Sequence, residues 1–152
     1  MVLFHKIIST GLGIGYIGKG AGTVAAAVTC TIWWFLQTEY TNPYLWPFLS
    51  TIVILLLGVI SGDEVELVWG KDHQRVVIDE VAGMGIALLL VPLKWEFYLI
   101  AFILFRFFDI AKPLYIRRFE ALPGGWGVMA DDVLAGIYAN FSIQAIVLLR
   151  LF

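Results

Sequence analysis

The chain has 152 residues, of which 61% are hydrophobic and 14% are charged, whereas soluble domains average about 45–50% and about 25%. Its mean hydropathy of +0.88 and net charge of −2 exclude a disordered chain and a basic nucleic-acid-binding module, and its single cysteine, Cys30, excludes a disulfide-stapled domain. We therefore predict an all-α integral membrane protein, a helical bundle that forms one domain over residues 1–152.

The predicted elements follow from stretches with few or no charges. A glycine-rich segment, 11–22, follows Lys6 and predicts a short N-terminal helix or re-entrant segment; no removable signal peptide is expected, because no compact apolar run with an A-x-A site is present. About five membrane spans are predicted, at 20–38, 40–62, 76–93, 97–111 and 133–149. The third and fourth are the only ones that contain charged residues.

Lysine and arginine residues are distributed unequally between the predicted loops. One side of the membrane receives Lys6, Lys19, Lys71, Arg75, Lys112, Arg117 and Arg118, and the other receives Lys94 and Arg150. Because cytoplasmic loops are enriched in these residues, we predict that the N-terminus and the 63–75 and 111–131 loops face the cytoplasm. Four polar motifs then meet the same face of the membrane.

Two pairs of adjacent carboxylates stand at predicted span ends. Asp79 and Glu80 open the third span, and Asp131 and Asp132 open the fifth after a glycine string at 124–127. Carboxylates at membrane depth are costly when unpaired, and a divalent cation such as Mg²⁺ would offset that cost. The alternatives are acids that stabilise a helix N-terminus for the first pair and a glycine turn with an aspartate N-cap for the second.

Arg106, Asp109 and Lys112 are spaced by three and share one helix face, which ends at Pro113. They form either a self-neutralising ladder or a phosphate clamp in which Asp109 turns to a metal. The glycine-rich segment offers backbone N–H groups to an anion or is only a flexible lead-in, and it lacks the G-K-[ST] ending of a P-loop.

Several phosphatase chemistries are excluded. The sequence has no D-x-D motif, and Leu36 stands where a cysteine phosphatase using Cys30 would need arginine. His5 and His73 are poorly placed for phosphohistidine chemistry. What remains is a carboxylate-rich, metal-dependent site in which water or a carboxylate is the nucleophile.

In order and spacing, three strings resemble the phosphatidylglycerophosphatase A family. They are Asp72-His73 with Asp79-Glu80 and Gly83-Met84; Phe105-Arg106 with Asp109 and Lys112-Pro113; and Gly124-Gly125 with Gly127, Met129, Asp131-Asp132 and Ala135-Gly136. The resemblance implies an all-helical enzyme of the bacterial inner membrane. It also implies Mg²⁺-dependent removal of the terminal phosphate of phosphatidylglycerophosphate, in phospholipid biosynthesis.

The resemblance also suggests roles for individual residues. We expect Asp79, Glu80, Asp131 and Asp132 to hold Mg²⁺, Asp109 to act as a further ligand or base, and Arg106, Lys112 and Thr23 to bind phosphate. The expected partners are a phospholipid substrate and the bilayer, with no nucleic acid. The alternatives are a phosphatase for another lipid phosphate and a non-enzymatic helical transporter or structural subunit.

Overall fold

The computed structural model describes residues 2–39, 42–71 and 73–150, and every regular element within them is helical. The all-α prediction is therefore confirmed. The helices are α1 (Val2–Ser9), α2 (Ala21–Glu39), α3 (Leu45–Trp69), α4 (Ile78–Ala87), α5 (Trp95–Ala111), α6 (Ile116–Phe119) and α7 (Gly124–Leu148). A 3-10 turn at Ile14–Ile17 joins the predicted N-terminal helix, α1, to α2.

Helix α7 is the centre of the bundle and packs against α3, α4 and α5. At its crossing with α4 two glycines meet, and a Cβ on Gly136 would overlap the backbone of Gly83. A Cβ on Gly83 would in turn lie 2.6 Å from the carbonyl oxygen of Asp132. Ala135 and Ala139, on the same helix, are also fully buried. This crossing brings the first turn of α4 beside Asp132.

The start of α7 differs from the prediction. The glycine string at 124–127 is helical, so Asp131 and Asp132 lie about two turns inside α7, and the interpretation of an aspartate N-cap is wrong. The cap comes from α3, because the backbone N–H of Gly125 donates a 2.7 Å hydrogen bond to Asp63 Oδ1. The predicted 111–131 loop is likewise shortened by α6 and by this early start.

The five-span prediction is not confirmed. Among the described residues one helix, α3, is long and apolar enough to cross a membrane, with a mean hydropathy of 2.1 over 18 residues. It begins at Leu45 and continues past the predicted end at 62 to Trp69, while Tyr40 lies outside the described residues. Helix α4 has ten residues, about 15 Å, because the chain turns at Leu88. That length is about half of the hydrocarbon layer.

Candidate active site

A polar cavity of about 290 Å³ lies where α2 and α4 begin and α5 ends, beside the second and third turns of α7. It gathers residues that are far apart in the sequence. Seven of the eight predicted site residues line it: Asp79, Glu80, Arg106, Asp109, Lys112, Asp131 and Asp132. The structure therefore brings the three charged motifs and the end of the glycine-rich segment into one place. Asp72, which belongs to the first string, lies outside the described residues.

Thr23 is the exception. Its side chain is exposed, and it is not among the residues that line the cavity, although the preceding Gly22 is. Helix α2 begins at Ala21, and successive residues on a helix point about 100° apart. The structure thus places Gly22, and not Thr23, at the cavity wall.

Three of the carboxylates form a group that we call the acidic triad: Asp79, Glu80 and Asp132. One oxygen of each lies within 4.8 Å of the others. Asp79 and Asp132 are buried, and Asp79 Oδ1 and Glu80 Oε2 are buried oxygens without a hydrogen-bond partner in the described part of the chain. Such oxygens are costly unless a positive charge reaches them. Three convergent carboxylates are the donor set that Mg²⁺ prefers, so the residues present fit that ion.

The other two carboxylates of the cavity are paired with cations. Arg106 forms an ion pair with Asp109 one helical turn away, as the predicted ladder requires. Lys112 Nζ donates hydrogen bonds to Asp131 Oδ2 at 2.7 Å and to Glu120 Oε1 at 2.6 Å. We call Asp109 and Asp131 the bridged acids. Asp131 lies in the predicted site, but the structure groups it with Lys112 and not with the acidic triad.

The charge of Lys112 is stabilised by these contacts. Burial lowers the pKa of its ammonium group, but the hydrogen bonds to Asp131 and Glu120 outweigh burial and raise the pKa above its ordinary value. Lys112 follows the last residue of α5 and has a left-handed backbone, with φ of 45°. This turn directs the chain away from the helix axis, so that the lysine side chain lies between α6 and α7.

Sequence reasoning missed two features that shape the cavity. Gly22 lies against the carboxylate of Glu80, which a Cβ at this position would overlap, so Glu80 approaches the start of α2 only because residue 22 is glycine. Glu120 holds Lys112 from the far side. The sequence predicts only a glycine-rich segment that ends at Gly22, with no contact to Glu80, and no sequence pattern points to Glu120.

The outer part of the cavity was missed as well. Lys19, His73 and Gln74 line it together with Gly18 and Gly20. The sequence predicts a cytoplasmic position but no site role for Lys19, and it places His73 in the first family string without a role in the site. Neither interpretation anticipates a cavity wall built by the two segments that precede α2 and α4.

The cavity places carboxylates that could hold a divalent cation together with an arginine and a lysine suited to phosphate oxygens, an arrangement that fits a phosphoric monoester hydrolase. A family model described as phosphatidylglycerophosphatase A matches residues 7–147. The chain belongs to the phosphatidylglycerophosphatase A family and is an enzyme, which sets aside the transporter and structural-subunit alternatives.

Three bacterial relatives are similar over most of their length. A Bacteroides thetaiotaomicron protein, provisionally named a phosphatidylinositol-3-phosphatase, is 42% identical over 90% of this chain and 89% of its own. Phosphatidylglycerophosphatase A of Haemophilus influenzae is 38% identical, covering 92% and 86%. The protein of the same name from Escherichia coli is 32% identical, covering 86% and 76%. No solved structure matches the chain.

Proposed function

We propose that the protein is a Mg²⁺-dependent phosphatase that removes the terminal phosphate of phosphatidylglycerophosphate and leaves phosphatidylglycerol, a step of phospholipid biosynthesis. The observation that carries this proposal is the acidic triad facing Arg106 and Lys112 in one cavity, in a chain of the phosphatidylglycerophosphatase A family. A site of this charge pattern suits a phosphate dianion at its cationic side and a metal ion at its acidic side.

In this proposal Asp79, Glu80 and Asp132 would hold the metal ion, and Asp131 would position Lys112 instead of serving as the metal ligand that the sequence predicts. When bound, Mg²⁺ supplies positive charge to the phosphoryl oxygens and favours the attack of water. The unpartnered oxygens of Asp79 and Glu80 support this assignment, because neither finds a donor within the described protein.

The basic residues would hold the phosphoryl group for attack. Arg106 and Lys112 are already oriented by their carboxylate partners, so little side-chain freedom is lost when phosphate binds. Hydrolysis forms a bond between the oxygen of water and phosphorus and breaks the bond from phosphorus to the glycerol oxygen. Asp109 accepts a proton of the attacking water, the glycerol oxygen takes up a proton from solvent as it leaves, and Asp109 returns its proton to solvent.

We further propose a multi-pass protein of the bacterial inner membrane with its active site facing the cytoplasm. Large apolar side chains are exposed along α2, α3 and α5, among them Val28, Ile32, Val53, Leu56, Ile60, Leu99, Ile103 and Phe107. Contiguous exposed apolar surface on several helices favours contact with lipid. The distribution of Lys and Arg favours a cytoplasmic position for the cavity. The acyl chains of the substrate would stay in the bilayer while its head group enters the cavity.

The proposal is tested by phosphate release from phosphatidylglycerophosphate by the detergent-solubilised protein. Release is expected with Mg²⁺, and its loss is expected when a chelator is added and its return when Mg²⁺ is restored. Release that persists unchanged in excess chelator would contradict metal dependence. Absence of phosphate release under all conditions would contradict the assignment of phosphatidylglycerophosphate as the substrate.

A second candidate substrate is a phosphatidylinositol phosphate, because the relative at 42% identity carries that name. Both lipids bear a phosphomonoester on a polyol that a phosphodiester joins to diacylglycerol. Comparison of kcat/KM for the two lipids under the same detergent conditions decides between them.

A further inference from the structure

The outer part of the cavity contains a cation without a partner. Three lysine or arginine side chains line the cavity, and two of them, Arg106 and Lys112, are held by carboxylates. The third, Lys19, is exposed and forms no ion pair or hydrogen bond with any residue that the structure describes. Lys19 is therefore a cation of the cavity lining that no described carboxylate neutralises.

The backbone on both sides of Lys19 leaves room for a ligand. Gly18 and Gly20 also line the cavity and have φ of +89° and +87°, a left-handed conformation that favours glycine. A Cβ at either position would meet no atom within 4 Å. Open space thus lies beside the backbone on both sides of Lys19.

Two polar side chains line the same cavity from the segment before α4. The ring of His73 packs at 5.4 Å from that of Trp69, and its Nδ1 accepts the backbone N–H of Arg75 at 3.3 Å. Because Nδ1 accepts this hydrogen bond, the other ring nitrogen, Nε2, is the one that can donate to a ligand. Gln74 is exposed and adds an amide that can both donate and accept.

The proposed substrates carry a second anion that the inner site does not use. In phosphatidylglycerophosphate a phosphodiester is joined by glycerol to the terminal phosphate, and in phosphatidylinositol phosphate it is joined by inositol. With the terminal phosphate at Arg106 and Lys112, the phosphodiester lies farther out, towards the lipid. A cation and hydroxyl-binding groups at the mouth match this chemistry.

We propose that Lys19, His73 and Gln74 form an outer wall that binds the phosphodiester and polyol of the lipid head group and so determines specificity. This inference rests on the proposed function. Lys19 pairs with the phosphodiester, and His73 and Gln74 bind the polyol hydroxyls. The enzyme therefore favours head groups with two phosphates over phosphatidic acid, which has a terminal phosphate but neither the polyol nor the phosphodiester.

The first test compares kcat/KM for phosphatidylglycerophosphate and phosphatidic acid in Lys19→Gln, Lys19→Arg and Lys71→Gln. Lys71 is a matched control because it also faces this end of the protein but contacts the carbonyl of Leu122 and does not line the cavity. A charge-assisted contact near the surface is worth about tenfold in binding. Lys19→Gln is expected to lower kcat/KM for phosphatidylglycerophosphate about tenfold and to leave phosphatidic acid unaffected, while Lys19→Arg retains most of the preference.

The second test uses inhibitors that each occupy one part of the cavity. Phosphatidylglycerol carries the glycerol and phosphodiester, whereas inorganic phosphate represents only the terminal group. Lys19→Gln is expected to weaken inhibition by phosphatidylglycerol and to leave inhibition by inorganic phosphate unchanged.

The outcomes separate the two proposals. A wild-type enzyme that hydrolyses phosphatidylglycerophosphate, with an unchanged lipid preference in Lys19→Gln, overturns the outer wall alone. An equal loss in Lys71→Gln also overturns it, because the effect would then come from general surface charge. A wild-type enzyme that releases no phosphate from either lipid overturns the proposed function and this inference together.

Discussion

The acidic triad and the bridged acids line one cavity but differ in how their negative charge is compensated. Asp109 and Asp131 each form an ion pair with a cation of the protein, whereas Asp79, Glu80 and Asp132 lie beside one another and form no ion pair within the described residues. Asp131 and Asp132 are adjacent in the sequence, yet they fall into different sets because they lie on different sides of α7. The difference supports the proposed metal site, because the carboxylates without an ion pair are the ones that a bound cation would stabilise.

The strongest test of this comparison is to neutralise the triad. Glu80→Gln and Asp132→Asn are expected to lower kcat by about 10³-fold, roughly 4 kcal/mol in transition-state free energy, because each removes a proposed metal ligand. Phosphate release measures the loss, and a thermal melt with and without Mg²⁺ measures the metal. Both variants should fold and should lose the Mg²⁺-dependent rise in Tm.

Without metal, the triad variants are not expected to be destabilised, in contrast to their expected loss of turnover. Because each removes one of three mutually repelling carboxylates, the Tm in chelator is expected to be no lower than that of the wild type. A triad variant that keeps both near-normal turnover and its response to Mg²⁺ would contradict the assignment of these residues.

The bridged acids should behave differently from the triad. Asp131→Asn removes one partner of Lys112, while Glu120 still holds the lysine, so turnover is expected to fall by about 10–100-fold and the Mg²⁺-dependent rise in Tm to persist. Lys112→Met should have a similar or larger effect on turnover. If Asp131→Asn instead abolished the response to Mg²⁺, Asp131 would belong with the metal ligands and the division drawn above would be wrong.

Gly22 tests how the triad is positioned. Gly22→Ala introduces a Cβ that overlaps the Glu80 carboxylate, so Glu80 must move away from α2. We expect about a tenfold loss in kcat/KM, or roughly 1.4 kcal/mol, and a higher Mg²⁺ concentration at half-maximal activity. An Ala27→Gly change on the same helix, at an exposed position outside the cavity, is the control for α2 stability.

The smallest effect is expected at Thr23. Thr23→Val removes a hydroxyl whose side chain is exposed and does not line the cavity, so kcat and KM should stay near wild-type values. A large rise in KM for phosphatidylglycerophosphate would restore the role that the family resemblance gave to this residue.

Local patterns predicted most of the charged site. Arg106, Asp109 and Lys112 are spaced so that any helix aligns them, and the acid pairs stand out in an apolar sequence. Their meeting at one end of the bundle followed from alternating directions of consecutive helices. These inferences need only helix geometry and the location of charges.

Contacts between distant segments could not be predicted in the same way. The start of α7 depends on Asp63, which lies 62 residues before its partner Gly125, so a glycine string that resembles a loop becomes helical. Hydropathy also cannot distinguish a spanning helix from an apolar turn. The predicted span at 76–93 therefore contains a shorter helix, which ends at Ala87. The unpaired state of Lys19 is visible only once the neighbours of the cavity are known.

The hydrogen bond between Gly125 and Asp63 also bears on how the newly made protein matures. Helix α7 supplies Asp132, and its first turn is completed by a residue synthesised much earlier, on α3. A chain arrested before residue 124 has Asp79 and Glu80 but lacks the third carboxylate and the helix that carries it. Binding of the proposed metal ion therefore requires α7, so a chain that lacks this helix is expected to be inactive towards lipid.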